Sequence, residues 1–496
     1  MQPIVETPLG RVRGFEQDGV RRFLGIPYAA PPVGALRFAA PAAHPGWTET
    51  REATAFGAAP LQPVDGLSQT LGLLGEHPQS EDCLTLNVFA PSAPAREPRP
   101  VLVWLHGGAF QTGTAAGPAY DGAPLAARGD VVVVTLNYRV GALGFLHTGA
   151  RGSANLGLQD QIAALRFVRA TIGSFGGDPA QVTVFGESAG AGSIVCLLAM
   201  PSARGLFRRA IVQSAAPEGQ LSAAEASERA RLLCDKLGRS DLAGLRRVPA
   251  AEILSAQAAC AEPGPRRIGM FFAPVIDGEL LPEAPLAAIA RGAAPEVELI
   301  IGTTADEMLL FTLVPGFGEI PDAVLPQLVA TRLPGPTETA LARAEALLAH
   351  YPGRGVERFF AVETDASLFV PSTRLAEAQS RRQPRTFMYR FTWRSPLHGG
   401  TLGACHALDV PFALGTFALP KLRDFAGSGP EAERVAHAMM DAWVAFARSG
   451  DPSHPGIPTW PHYAPPRRAT LELGVPCRVV DAPGEERRRA FTAGSA

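Results

Sequence analysis

A chain of 496 residues, 46% hydrophobic and 19% charged, has the composition of a globular protein able to bury a large core. Its formal net charge of −2 excludes the electrostatic footprint of a nucleic-acid or anionic-membrane binder, so neither partner is expected. Length alone suggests roughly two to four domains, but large α/β enzymes keep one sheet and grow by insertion, and one domain over residues 1–496 is the expectation.

The opening MQPIVETPLGRVRGF has neither a basic n-region nor an apolar h-region, and no stretch reaches the length of a membrane span. A soluble, cytoplasmic chain is expected, as a monomer or weak homo-oligomer. The only lysines are Lys236 and Lys421, so nearly all positive charge is arginine. Cys83, Cys196, Cys234, Cys260, Cys405 and Cys477 show no C-x-x-C pair and no His/Cys metal spacing, so no metal is expected. Cys234 and Cys260 could bracket one loop, but reduced thiols are the expectation.

In chain order, short β-rich runs fall at Leu84–Ala90, Val101–His106, Val131–Tyr138, Val182–Phe185, Ala210–Gln213, Val297–Gly302 and Thr386–Trp393. Several are continuously apolar, as parallel strands covered on both faces should be. Between and after them, Leu158–Ala170, Ala224–Leu237, Thr337–His350 and Glu431–Ala447 carry helical periodicity. Regular alternation of the two predicts an α/β fold with a doubly wound sheet. Two Ala/Leu/Glu-rich stretches, Gly219–Arg267 and Val314–Ser372, read as helical insertions above it.

Four of the strands lead into residues that carry chemistry. Val182–Phe185 stops at Gly186-Glu187-Ser188-Ala189-Gly190, and Ala191–Met200 continues as a helix, so Ser188 sits on a strand-to-helix turn: the nucleophile elbow of a serine hydrolase. Such a serine needs a base, an orienting acid and an oxyanion hole. Val101–Leu105 runs into His106-Gly107-Gly108-Ala109-Phe110, a glycine-rich loop placed to supply backbone N–H groups, with the N–H of Ala189 adding another. Glu298–Gly302 leads into Asp306 and Glu307, either of which can be the acid. His398 and His406 both follow the strand Thr386–Trp393, and spacing does not choose between them.

Ordered blocks along nearly the whole chain resemble the type-B carboxylesterases, the family of carboxylesterases, cholinesterases and bacterial p-nitrobenzyl esterases. They are FLGIPYAAPPVG from Phe23 to Gly34 with Leu36-Arg37-Phe38, EDCLTLN from Glu81 to Asn87, and Asn137-Tyr138-Arg139. NLGLQDQ from Asn155 to Gln161 and WVAFARSGDP from Trp443 to Pro452 with Trp460-Pro461 complete the set. The resemblance implies an α/β-hydrolase fold with a mostly parallel central sheet, helices on both faces and large helical insertions. It implies Ser188, Glu307 and His406 as the catalytic triad, with Asp306 and His398 as bystanders. The backbone N–H groups of Gly108, Ala109 and Ala189 become the oxyanion hole, and no cofactor is needed. The expected activity is hydrolysis of small uncharged, apolar carboxylic esters. A lipase, amidase or carbamate hydrolase is the alternative on the same triad, and a non-catalytic binding module of the same fold is a remoter one.

Two departures shape the expected substrate. The motif residue Cys83 has no upstream cysteine to pair with, and Leu61–Gln79 contains no Trp, Tyr or Phe to hold a quaternary ammonium by cation–π contact. A choline specialist is therefore not expected. Phe110, Phe271, Phe272, Leu309, Leu310, Phe311 and Phe412 lie near the expected site loops and are the candidate lining of an apolar pocket.

Overall fold

Eleven strands make one sheet: β1 (Phe15–Gln17), β2 (Val20–Pro27), β3 (Thr85–Pro91), β4 (Arg99–Leu105), β5 (Val132–Leu136), β6 (Gly177–Glu187), β7 (Arg209–Gln213), β8 (Glu298–Thr304), β9 (Thr386–Phe391), β10 (Ala469–Leu473) and β11 (Arg478–Asp481). In the computed structural model, which describes residues 2–63, 66–67, 77–150, 152–260, 270–314, 320–333 and 337–492, their spatial order is β11-β10-β9-β8-β7-β6-β4-β5-β3-β2-β1. The strands from β5 to β10 pair in parallel, and the strands outside them are antiparallel. Each of the seven apolar runs expected as strands overlaps a strand of this sheet, with ends that differ by two residues or fewer except at the start of β6, which begins at Gly177 rather than Val182. The chain passes from β4 to β5 on one side and then returns to place β6 on the other side of β4, which opens a crevice at the carboxyl ends of β4 and β6.

The alternation of side chains along β4 sorts the core into two layers. Val101, Val103 and Leu105 face one cluster, with helices α1 (Leu156–Thr171) and α2 (Ala189–Ala199); Leu102 and Trp104 face the other. Within the insertions lie α3 (Ala223–Leu237), α4 (Leu325–Ala330), α5 (Thr337–Leu348) and α6 (Gly355–Thr364). Residues 261–269, 315–319 and 334–336 of those insertions lie outside the described residues. Helix α7 (Pro430–Ser449) buries Val435, Met439 and Trp443 against the second layer. A separate three-stranded sheet of Ile4–Thr7, Gly10–Arg13 and Arg51–Glu52 sits near the start of the chain.

The sequence blocks meet in space. Arg37 donates from Nε to Glu81 Oε2 at 2.6 Å and from Nη1 to the carbonyls of Arg246 and Val248, tying two early blocks to the first insertion. Arg139 reaches Asp160 through Nε (2.8 Å) and Nη2 (2.7 Å), and Asp160 also accepts the Arg139 backbone N–H. This pair is buried, and a buried charge persists only when its partners satisfy it as fully as these do. All six cysteines are free, including Cys234 and Cys260.

Candidate active site

Ser188 stands between β6 and α2 at φ 55°, ψ −120°, a backbone state costly for a residue with a side chain. Three contacts enforce it. The Ser188 N–H donates to the Gln213 carbonyl of β7 at 2.9 Å, and its carbonyl accepts from Gly192 at 2.8 Å inside the helix. The third is close approach: a Cβ on Gly190 would lie 2.0 Å from the Leu105 carbonyl oxygen of β4. The glycine is therefore needed because helix and neighbouring strand touch there, and the obstacle is β4 more than the serine itself. Ala189 opens α2, whose first-turn N–H groups have no partner within the helix.

Glu307 is fully buried at the end of the β8 loop. Its Oε1 accepts from the Ser214 hydroxyl (2.6 Å) and the Thr304 N–H (2.7 Å), while Oε2 lies 2.6 Å from His406 Nδ1. The His406 backbone N–H also donates to the Glu307 carbonyl at 3.0 Å. Asp306 points elsewhere: its Oδ2 accepts the Ala404 N–H at 2.9 Å and so pins the loop that carries His406. His398 is exposed at φ 52° on the same loop. Of the two acids and two histidines that spacing left open, the structure brings Glu307 and His406 together.

The other ring nitrogen meets a residue that sequence reasoning passed over. His406 Nε2 lies 3.0 Å from Oε1 of Glu187, the residue before Ser188. Burial would pull the imidazole down, but the carboxylates of Glu187 and Glu307 outweigh it and hold His406 up at about 9. Burial raises Glu187 in turn to about 8. Behind them Asp409 accepts from Tyr389 (2.7 Å) and Gln213 (3.0 Å), and burial lifts it to about 6. Nothing in a single sequence separates Glu187 from any residue within a pentapeptide motif, and Ser214 has no signal beyond following a strand.

The loop after β4 bends sharply. Gly108, Ala109 and Phe110 have φ of 110°, 54° and 60°, and a Cβ on Gly108 would lie 2.3 Å from the Thr112 carbonyl oxygen. The Tyr138 hydroxyl donates to the His106 carbonyl at 2.7 Å, the His106 ring stacks on Tyr138, and Gly141 donates to the Phe110 carbonyl at 2.6 Å. Tyr138 of the block Asn137-Tyr138-Arg139, with Gly141 beyond it, thus forms the seat of the glycine-rich loop.

Ser188, His406, Ala109 and Ala189 line one cavity of about 350 Å³. Phe110 and Phe311 line it too, as expected. Phe271, Phe272, Leu309, Leu310 and Phe412 do not. Phe412 packs on Phe391 and Phe417 in the second core layer, Leu310 is buried in that layer, and Leu309 packs against both layers. Phe272 is buried in the first layer with Phe271 edge-on against it. Apolar residues near a site loop belong to the core as readily as to the site. Met270, Met308, Phe359 and Leu368 supply the remaining apolar wall. Leu368 belongs to a π-turn, Asp365–Phe369, whose buried Asp365 accepts from the Tyr351 hydroxyl at 2.6 Å and faces Arg487 at 3.2 Å. Most of Leu61–Gln79 lies outside the described residues.

Comparison with known proteins agrees over the full length. A family model described as the carboxylesterase family matches residues 1–491. The chain is 42% identical to the para-nitrobenzyl esterase of Bacillus subtilis strain 168, over 98% of each chain. It is 36% identical to the phenmedipham hydrolase of Pseudarthrobacter oxydans, over 95% of each. A solved structure of a PNB esterase superposes with a TM-score of 0.90 at 39% identity, covering 99% of both chains.

Proposed function

The chain belongs to the carboxylesterase family and is a carboxylic ester hydrolase, and from that premise we propose that it cleaves uncharged, apolar esters with Ser188 as nucleophile, His406 as base and Glu307 as the acid that orients it. The observation that carries this reading is the 2.6 Å contact between His406 Nδ1 and buried Glu307 beside the cavity that Ser188 lines. His406 Nε2 takes the Ser188 proton as Oγ attacks the ester carbonyl. Glu307 fixes the tautomer and stabilises the imidazolium. The N–H groups of Gly108, Ala109 and Ala189 receive the oxyanion; in comparable sites the loss of one donor costs about 3–4 kcal/mol. His406 then protonates the departing alcohol, and water repeats the sequence on the acyl-enzyme.

The catalytic groups are side chains and backbone of one chain, which suits one catalytic domain acting as a monomer or weak homo-oligomer. Free thiols suit the reducing cytoplasm, and among the described residues no helix is long and apolar enough to cross a membrane. The identity to a phenmedipham hydrolase keeps acyl bonds other than simple esters as a second reading of the same site. Ser188→Ala tests the first reading. The variant should lose about 10⁴-fold or more in kcat on an aryl ester and no longer be labelled by an organophosphate, with an unchanged circular dichroism spectrum. Labelling that survives the substitution overturns the assignment.

A further inference from the structure

Helix α6 and the π-turn after it face the cavity with Phe359, Glu363, Ala366 and Ser367, a spacing that is one helical stripe. Glu363 breaks the apolar run, and its side chain is only 6% exposed. A carboxylate sunk in such a wall is costly unless paired. Its partner is Arg332, two residues beyond α4, whose Nε lies 2.7 Å from Glu363 Oε1 and whose side chain is 42% exposed. Both residues line the cavity that holds Ser188 and His406.

Neutralising Glu363 uses only the Nε edge of the guanidinium. Its four Nη hydrogens have no protein partner among the described residues, so they remain as donors in the cavity that Arg332 lines. The pair as a whole is neutral, so an anionic ligand is repelled by Glu363 beside its would-be anchor, whereas an uncharged acceptor oxygen carries no net charge to be repelled. We propose that Arg332 is a specificity residue that hydrogen-bonds an uncharged acceptor, a second carbonyl, at the remote end of the ester. The class of substrate is a keto ester or diester, bound with its hydrocarbon on the apolar wall and its far oxygen on Arg332. This rests on the reading of the cavity as the ester site.

Two matched pairs of substrates test it: the ethyl esters of a keto acid and of the straight-chain acid of equal length, and the acetates of a keto alcohol and of its methylene counterpart. With kcat/KM measured on the wild type, Arg332→Met and Arg332→Lys, chain-length and leaving-group effects cancel in the ratio of ratios. In at least one pair the preference for the keto member should fall by about tenfold in Arg332→Met, as expected for a hydrogen bond to a charged donor. Arg332→Lys should fall between, since it keeps the charge and loses the fork. Equal preferences in all three enzymes for both pairs overturn the proposal and leave Arg332 as a counter-ion alone. A terminally carboxylated half-ester that loses more on Arg332→Met than the keto esters do overturns the uncharged class. A wild type that hydrolyses none of these esters overturns instead the reading of the cavity as the site of small apolar esters.

Discussion

His406 has a carboxylate at each ring nitrogen, Glu307 at 2.6 Å from Nδ1 and Glu187 at 3.0 Å from Nε2, and the two are not equivalent. Glu307 is satisfied by Ser214 and Thr304 on its far oxygen, which fits a fixed orienting acid; Glu187 faces the nitrogen that must be free to take a proton. Glu307→Gln and His406→Ala should each cost several orders of magnitude in kcat, and Asp306→Asn and His398→Ala less than about tenfold. A dead His398→Ala with a live His406→Ala would reassign the base. The pH profile follows from the same geometry. His406 must be neutral to act, and its proton is held above the ordinary imidazole range, so kcat/KM for a neutral ester should rise with pH through an inflection above 6.5, toward the value of about 9. Glu187→Gln removes one of the charges that hold the proton and should move that inflection down by roughly one pH unit. An inflection unmoved in Glu187→Gln would show that the Glu187 charge does not act on His406.

The strand–turn–helix of β6, Ser188 and α2 is where the elements were most legible beforehand, because a branched apolar run ending in small residues has few other solutions. Its weak point is steric. Gly190→Ala places a methyl against the β4 backbone, which cannot swing aside, and should destabilise the protein by at least about 1–3 kcal/mol, read as a lower denaturation midpoint. An unchanged midpoint would mean that α2 can withdraw from β4 without cost. Other elements gave less signal. β2 carries Arg21 and Arg22 inside its run, and β10 carries a threonine and a glutamate, so neither reads as an apolar strand although both are paired in the sheet. The pocket was the least legible. Phe412 and Phe311 look alike in sequence, but one is buried in the second layer and the other lies beside His406. Arg332 and Glu363 meet across 31 residues with no spacing rule to join them.

Across the whole molecule, the groups of the site hang from the carboxyl ends of neighbouring strands: the loop of Gly108 and Ala109 after β4, Ser188 after β6, Ser214 after β7, Glu307 after β8 and His406 after β9. These strands are adjacent in space while their site residues run from 108 to 406 along the chain. Closing such distant pairings is slow, since loop entropy must be spent before the contacts form. Catalytic turnover is therefore a gauge of completed folding. On dilution from denaturant, far-ultraviolet ellipticity should recover first and esterase activity last, with a lag between them; simultaneous recovery would mean that the sheet assembles in one concerted step. A partly folded chain can already hold the elbow and its serine, but it has no histidine in place to activate it. The enzyme becomes reactive toward esters only once its architecture is finished.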